Sequence, residues 1–183
     1  MNNLFGKIAA FALIGSIFFV TSCTDEDRLT LADTQDITEE AITDSYFQDM
    51  DDMAGVALNS PNDTQLSGGR VASTITIEDQ RFNCAGIVIT VEPGPNSTVD
   101  LPQGVLTINF GTTGCTDLRG NIRTGKLIFT YNGRRFKPGS TVVTTTDNYT
   151  INGILIEGTR TLTNVTGSTQ EAPRFNAVLA DGK

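Results

Sequence analysis

The sequence has no histidine and no tryptophan, and only three cysteines and three tyrosines. Without histidine, a serine or cysteine nucleophile lacks its usual base, and the commonest zinc ligand is missing. Without tryptophan, a sugar-stacking platform has little to be built from. Cations are scarce too: 13 Lys and Arg stand against 21 Asp and Glu, a net charge of −8. Phosphate backbones are held by clustered Lys and Arg, so nucleic acid is not an expected partner. Glycine-rich nucleotide loops of the GxGxxG or Walker type are absent from the sequence. The sequence nominates no catalytic residue, no cofactor and no metal site. What it does contain is enough for one domain: 183 residues, 38% of them apolar. Charged residues make up 19%, too few for a wholly disordered chain.

The first segment is an address. Lys7 supplies a short positive start, and Ile8 to Val20 is a mostly apolar run. A membrane-spanning helix needs about 20 apolar residues, so this shorter run suits a signal peptide over residues 1–22. It closes on Val20-Thr21-Ser22-Cys23. That motif resembles the lipobox of bacterial lipoproteins: an aliphatic residue, two small ones, then Cys. The resemblance implies that Cys23 is acylated and becomes the first residue of the mature chain. It also implies that the protein meets the membrane through an N-terminal lipid anchor. Thr24-Asp25-Glu26-Asp27 follows, and such an acidic stretch resembles the surface-export signal of Bacteroidota lipoproteins. It also fits a plain solvated tether over 23–35. The expected location is the outer membrane, on its periplasmic or cell-surface face.

With Cys23 assigned to lipid, Cys84 and Cys115 remain as an even pair in an exported chain, which implies a disulfide.

Charge is segregated along the chain. From Thr24 to Asp52 there are 11 acidic residues and one basic, giving −10, whereas Met53 to Lys183 carries 10 acidic and 11 basic, giving +1. Residues 36–57 have helical spacing, with Ile42, Tyr46, Met50, Met53 and Val56 as the apolar stripe. Asp36 followed by Glu39 resembles a capping box, which predicts the helix start at Asp36. Asp44, Asp49, Asp51 and Asp52 lack the alternating order and central glycine of a calcium loop, so a solvated acidic face is expected. Six cations cluster from Arg119 to Lys137: Arg119, Arg123, Lys126, Arg134, Arg135 and Lys137. A solvent-facing array is the first expectation, pairing with the acidic helix the second, and an anionic glycan a third.

From residue 70 to 183 the periodicity changes to two. Val71, Ile75 and Ile77 share a face, as do Ile87, Ile89 and Val91. The same holds for Leu106, Ile108 and Phe110, and for Leu127, Phe129 and Tyr131. Thr141 to Thr146 is β-branched throughout, which favours extended backbone. Asn132-Gly133, Asn152-Gly153 and Asp181-Gly182 have the composition of two-residue hairpin turns, and Pro93 to Asn96 and Pro138-Gly139 are breaks. Gly111 and Gly114 are expected in a tight turn beside Cys115. The pattern predicts a mainly β protein: an antiparallel meander of seven or eight strands with one N-terminal amphipathic helix. A sandwich, a half-barrel and a curved sheet all satisfy it. The strand that should return after Asp181-Gly182 is missing, which suggests a C-terminally truncated chain.

Several pieces resemble a set of uncharacterised Bacteroidota lipoproteins: Gly104 to Gly111, Gly114-Cys115, Gly125 to Tyr131, Pro138-Gly139-Ser140, Asn152-Gly153 and Ile156 to Thr159. These are turn and strand motifs. The resemblance implies fold, and it transfers no catalytic residue.

Three functions follow as expectations. The first is a lipid-anchored, non-enzymatic binding or structural module, with a protein or glycan partner. The second is a carrier of lipid or another hydrophobe, which needs a cavity of several hundred Å³. The third is a glycan-binding protein or hydrolase with Tyr46, Tyr131 or Tyr149 beside acids. Glu92, Asp100, Asp117, Asp147 and Glu157 are the candidate carboxylates. Asn96, Asn148 and Asn164 head N-glycosylation triplets expected by chance in a Thr- and Asn-rich chain.

Overall fold

The computed structural model describes residues 31–59, 71–169 and 171–183, with helix side chains from Thr38 onward. The signal segment 1–22, Cys23 and the start of the tether lie outside the described residues. One helix, α1 (Leu31–Leu58), precedes eight strands: β1 (Ser73–Ile75), β2 (Val88–Pro93), β3 (Gln103–Thr116), β4 (Ile122–Asn132), β5 (Thr141–Ile151), β6 (Ile154–Leu155), β7 (Thr159–Asn164) and β8 (Phe175–Ala180). They form one open sheet in the order β1-β2-β3-β4-β5-β7-β8, with β6 paired to β5. Every pairing is antiparallel. The meander expectation holds, and with a single sheet the sandwich alternative falls.

The strand phases also hold, and the helix covers the apolar face they create. Ile89, Val91, Leu106, Ile108, Phe110, Leu127, Phe129 and Tyr131 are buried in one core with Phe47, Met50, Met53, Ala54 and Ala57 of α1. Burying each large apolar side chain contributes about 1.5–3 kcal/mol, so this contact layer is the main source of cohesion. The opposite face alternates in register. One cross-strand row reads Thr90, Thr107, Ile128, Thr145 and Thr159. Val71 breaks its expected phase: β1 starts at Ser73, and Val71 is exposed.

Four local expectations need correction. The helix passes through Asp36, so the capping box does not form there: Leu31 to Gln35 contains no breaker and good helix formers such as Leu, Ala and Gln. Its buried stripe is turned from the expected one, with Phe47 fully buried and Ile42 44% exposed. The Asn132-Gly133 turn is not a two-residue hairpin. Asn132 pairs with Thr141, leaving an eight-residue connection, 133–140, in which Gly133 donates instead to the Pro102 carbonyl. Asp181-Gly182 does not turn back either. Lys183 exchanges both backbone hydrogen bonds with Glu157, continuing β8 past a local irregularity at Asp181 (φ 52°). The Asn152-Gly153 hairpin does form, with φ of 52° and 82° and Ile151 facing Ile154.

Gly111 and Gly114 lie inside β3, not in a turn, at register shifts in its pairing with β4. A second irregularity sets up the site below. Thr124 pairs with Thr150 and Lys126 with Asp147, so Asn148 and Tyr149 together oppose Gly125. Asn148 takes the left-handed φ of 48°, a conformation that Asn tolerates better than most residues. The extra residue reverses the strand's phase, and Tyr149 faces inward where Asn148 otherwise would.

Candidate functional site

The most developed chemistry in the molecule lies between helix and sheet. Asp44 and Asp51 are two turns apart on one edge of the buried helical stripe, and Asp49 lies on the other edge. Arginines from the body meet both edges. On one side, Arg160 of β7 gives Nε to Asp51 Oδ2 and Nη1 to Asp44 Oδ1, both at 2.7 Å. On the other, Arg123 of β4 is only 1% exposed. Its Nη2 lies 2.9 Å from Asp49 Oδ2, its Nε 3.3 Å from Asp117 Oδ2, and its Nη1 donates to Tyr149 Oη at 2.6 Å. Arg81 pairs with Asp79 at 2.9 Å and reaches Asp49 Oδ1 at 3.2 Å.

Asp117 closes the network from the β3–β4 turn. Its Oδ1 accepts from the backbone N–H of Arg119 and of Asn121, both at 2.9 Å. Burial alone raises its carboxyl, but those N–H groups and the Arg123 charge more than offset this and hold it below the usual range. Arg81 hydrogen bonds likewise hold Asp79 down against a smaller opposing effect of burial. For Asp51, burial dominates over Arg160 and Arg135, and the carboxyl is raised. Burial pushes the Tyr149 hydroxyl up to about 12, although Arg123 pulls the other way.

An acid dependence follows. Asp79 and Asp117 have depressed folded values, so their stabilisation is complete above the unfolded carboxylate value of about 4. It is lost as pH falls from there through the lower folded values. Asp51, with a raised value, has the opposite sign and softens the loss. Urea midpoints measured at several pH values are expected to be level near neutrality and to drop below about pH 4. In Asp117→Asn the acid drop is expected to shrink. An unchanged acid slope would show that Asp117 does not couple to folding.

The array of cations divides between the first two expectations: Arg123 is buried and paired with the acidic helix, whereas Arg119 and Lys137 are exposed. Lys126 does face solvent, 2.8 Å from Asp147 in a pair about two-fifths exposed on both sides. Arg81 and Arg160 lie outside the sequence cluster and were not singled out. The available signal was strand parity, because Arg160 shares the phase of Leu162, and Arg123 that of Leu127 and Phe129. The helix acids correspondingly serve as arginine partners at Asp44, Asp49 and Asp51. Among the described residues, no group of three or more His, Cys, Asp or Glu forms a metal-sized cluster.

The other candidates are dispersed. Asp147 pairs with Lys126, and Glu157 with Lys183 at 2.9 Å. Glu92 lies on the outer face of β2, and Asp100 in the β2–β3 connection. Tyr131 and Tyr149 are buried, with only Tyr46 partly exposed, so the three tyrosines do not make one open aromatic groove. Asn164 is 1% exposed and donates Nδ2 to the Arg135 carbonyl, which removes it as a glycan acceptor. The face that a hydrophobe carrier needs as a lumen carries α1. The cavity beside the end of α1, lined by Leu58, Tyr131 and Arg135, measures only about 130 Å³. A wider open groove of about 780 Å³ lies along residues 39–44 of α1, with Ile42, Ile154 and Leu179 among three acids, Glu39, Glu40 and Asp44, and Lys183.

Cys84 and Cys115 are disulfide-bonded, with Cα atoms 5.6 Å apart and 31 residues of separation. Among the described residues no helix is long and apolar enough to cross a membrane. Compared with known proteins, the chain matches no family model, no curated protein and no solved structure.

Proposed function

We propose that this chain is a lipid-anchored protein of a bacterial cell envelope, and that its β domain is a non-enzymatic binding or structural module. It is held at the outer membrane through Cys23, on the periplasmic or cell-surface face. The observation that carries this reading is the Cys84–Cys115 bond. Disulfides persist in exported proteins and are rare in reducing compartments. The bond also leaves Cys23 as the one cysteine outside the pair, at the lipobox-like position. The charge network supports the scaffold role: Asp44, Asp49, Asp51 and Asp117 hold arginines that fix the helix, an arrangement suited to rigidity.

Intact mass of the native protein, with and without reductant, tests the reading. The expected mass begins at Cys23 and includes acyl chains, with a gain of about 2 Da on reduction as one bond becomes two thiols. Cys23→Ser is expected to move the protein from the membrane to the soluble fraction, since the acyl chains supply about 0.8 kcal/mol per buried CH₂. An unlipidated mass with free thiols overturns both anchor and compartment.

A further inference from the structure

Four arginines lie against α1 or its surroundings, and one differs from the rest. Arg81, Arg123 and Arg160 each meet a carboxylate at 3.3 Å or less. Half-buried Arg135 meets none among the described residues. Its Nη1 donates to a backbone carbonyl, that of Asp51, at 3.2 Å, and its guanidinium lies 5.2 Å from the centre of the Phe175 ring. Burial correspondingly lowers the Arg135 pKa against the attraction of Asp51 and Asp52, whereas its three counterparts are raised. Among the described residues, then, this desolvated cation has no carboxylate in direct contact.

The surroundings repeat the imbalance. Arg135 lines both the cavity of about 130 Å³ and an adjoining groove of about 580 Å³. Arg134 lines both as well, and Phe136 and Lys137 line the groove. Among the described residues, no Asp or Glu lines either depression. The backbone beneath is braced: the Arg135 carbonyl accepts from Asn164 Nδ2 at 2.6 Å and from Ser140 Oγ at 3.1 Å. Lys137 N–H closes a turn on the Arg134 carbonyl at 2.8 Å. The connection that replaces the expected short hairpin thus presents cations on a fixed frame. A cavity of this size holds roughly four waters at about 30 Å³ each, which suits one compact oxyanion.

We propose that the 133–140 connection, with Arg135 at its centre, is a binding site for a phosphate group. Guanidinium forks match phosphate oxygens with paired hydrogen bonds, and the bound charge supplies what Arg135 lacks. The group can come from free phosphate or from a lipid headgroup. The headgroup source rests on the anchor reading above, and the free source does not.

The test uses the full chain carrying Cys23→Ser, titrated with inorganic phosphate while the amide resonances of Gly133 and Gly139 are followed. The expected result is a saturable shift with a dissociation constant on the order of 1 mM, not reproduced by chloride at matched ionic strength. Asn59→Asp, at an exposed position shared by both depressions, is expected to weaken binding about tenfold by placing a negative charge at the rim. Lys137→Gln is expected to weaken it without touching the helix. Absence of a saturable shift, or equal affinity in both variants, overturns the site. Sedimentation with phosphatidylglycerol vesicles but not phosphatidylcholine vesicles, competed by free phosphate, assigns the headgroup source. Phosphate binding without sedimentation assigns the free source. The anchor itself is judged separately, by the mass of the native protein.

Discussion

Arg123→Met is expected to destabilise the protein by about 3–5 kcal/mol, the cost of breaking a buried ion pair by removing one partner. The size follows from what is left behind. Asp117 keeps its two backbone donors but loses its cation, Asp49 keeps Arg81 but loses its closer partner, and the Tyr149 hydroxyl loses its donor inside the core. Methionine fills the space of the side-chain stem and cannot answer any of these charges. For a domain of this length the melting temperature should fall by about 6–20 °C, at roughly 2–4 °C per kcal/mol. Lys126→Met is the internal control. Its pair with Asp147 is exposed, and such pairs contribute about 0–1 kcal/mol. Equal thermal shifts in the two variants would refute a burial-dependent network. Tyr149→Phe separates the contributions: it keeps the ring against Phe110, 5.8 Å away, and removes only the hydroxyl. Its cost should fall well below that of Arg123→Met.

Cys84→Ser with Cys115→Ser is expected to cost roughly 3–4 kcal/mol, from the entropy regained by an unfolded chain no longer closed across this loop. The crosslink ties the segment before β2 to the far end of β3, close to where the Leu118 N–H donates to the Gln80 carbonyl at 3.2 Å. Cys115 is buried in the main core, so serine adds a polar-atom penalty there. Comparing the double serine variant with the wild type under reductant separates the two effects. Urea midpoints should fall in both, and further in the serine variant. An unchanged midpoint on complete reduction, verified by thiol titration, would mean that the bond is dispensable for folding.

Much of the architecture is local physics and is written in the chain. Alternation at Leu106-Ile108-Phe110 and Leu127-Phe129-Tyr131 puts those side chains on one face, whatever their neighbours are. Asn152-Gly153 accepts left-handed backbone at both positions, and the hairpin follows. The cysteine pair was legible from arithmetic and the expected compartment. The helix was legible as an element, but not in its rotation. Phe47 and Ile42 are both apolar at workable spacing, and only the position of the sheet buries the first and exposes the second.

The charge network was beyond local reading for a different reason. A charged residue on a strand is solvated unless something covers it, and whether a carboxylate waits there depends on distant segments. Strand phase alone pointed Arg123 and Arg160 inward. Only α1 crossing above them supplied Asp49, Asp51 and Asp44, and only the extra residue at Asn148 turned Tyr149 towards Arg123. The same holds for the 133–140 connection, where Asn-Gly composition favoured a short turn and the register of β4 on β5 imposed a longer one. The sequence by itself determined the strands, their phases and the cysteine pair, because periodicity and backbone preference act within a few residues. The tertiary structure decided which charges are buried, which are paired, and that Arg135 meets no carboxylate among the described residues, because those outcomes depend on groups far apart in the chain meeting where water is excluded.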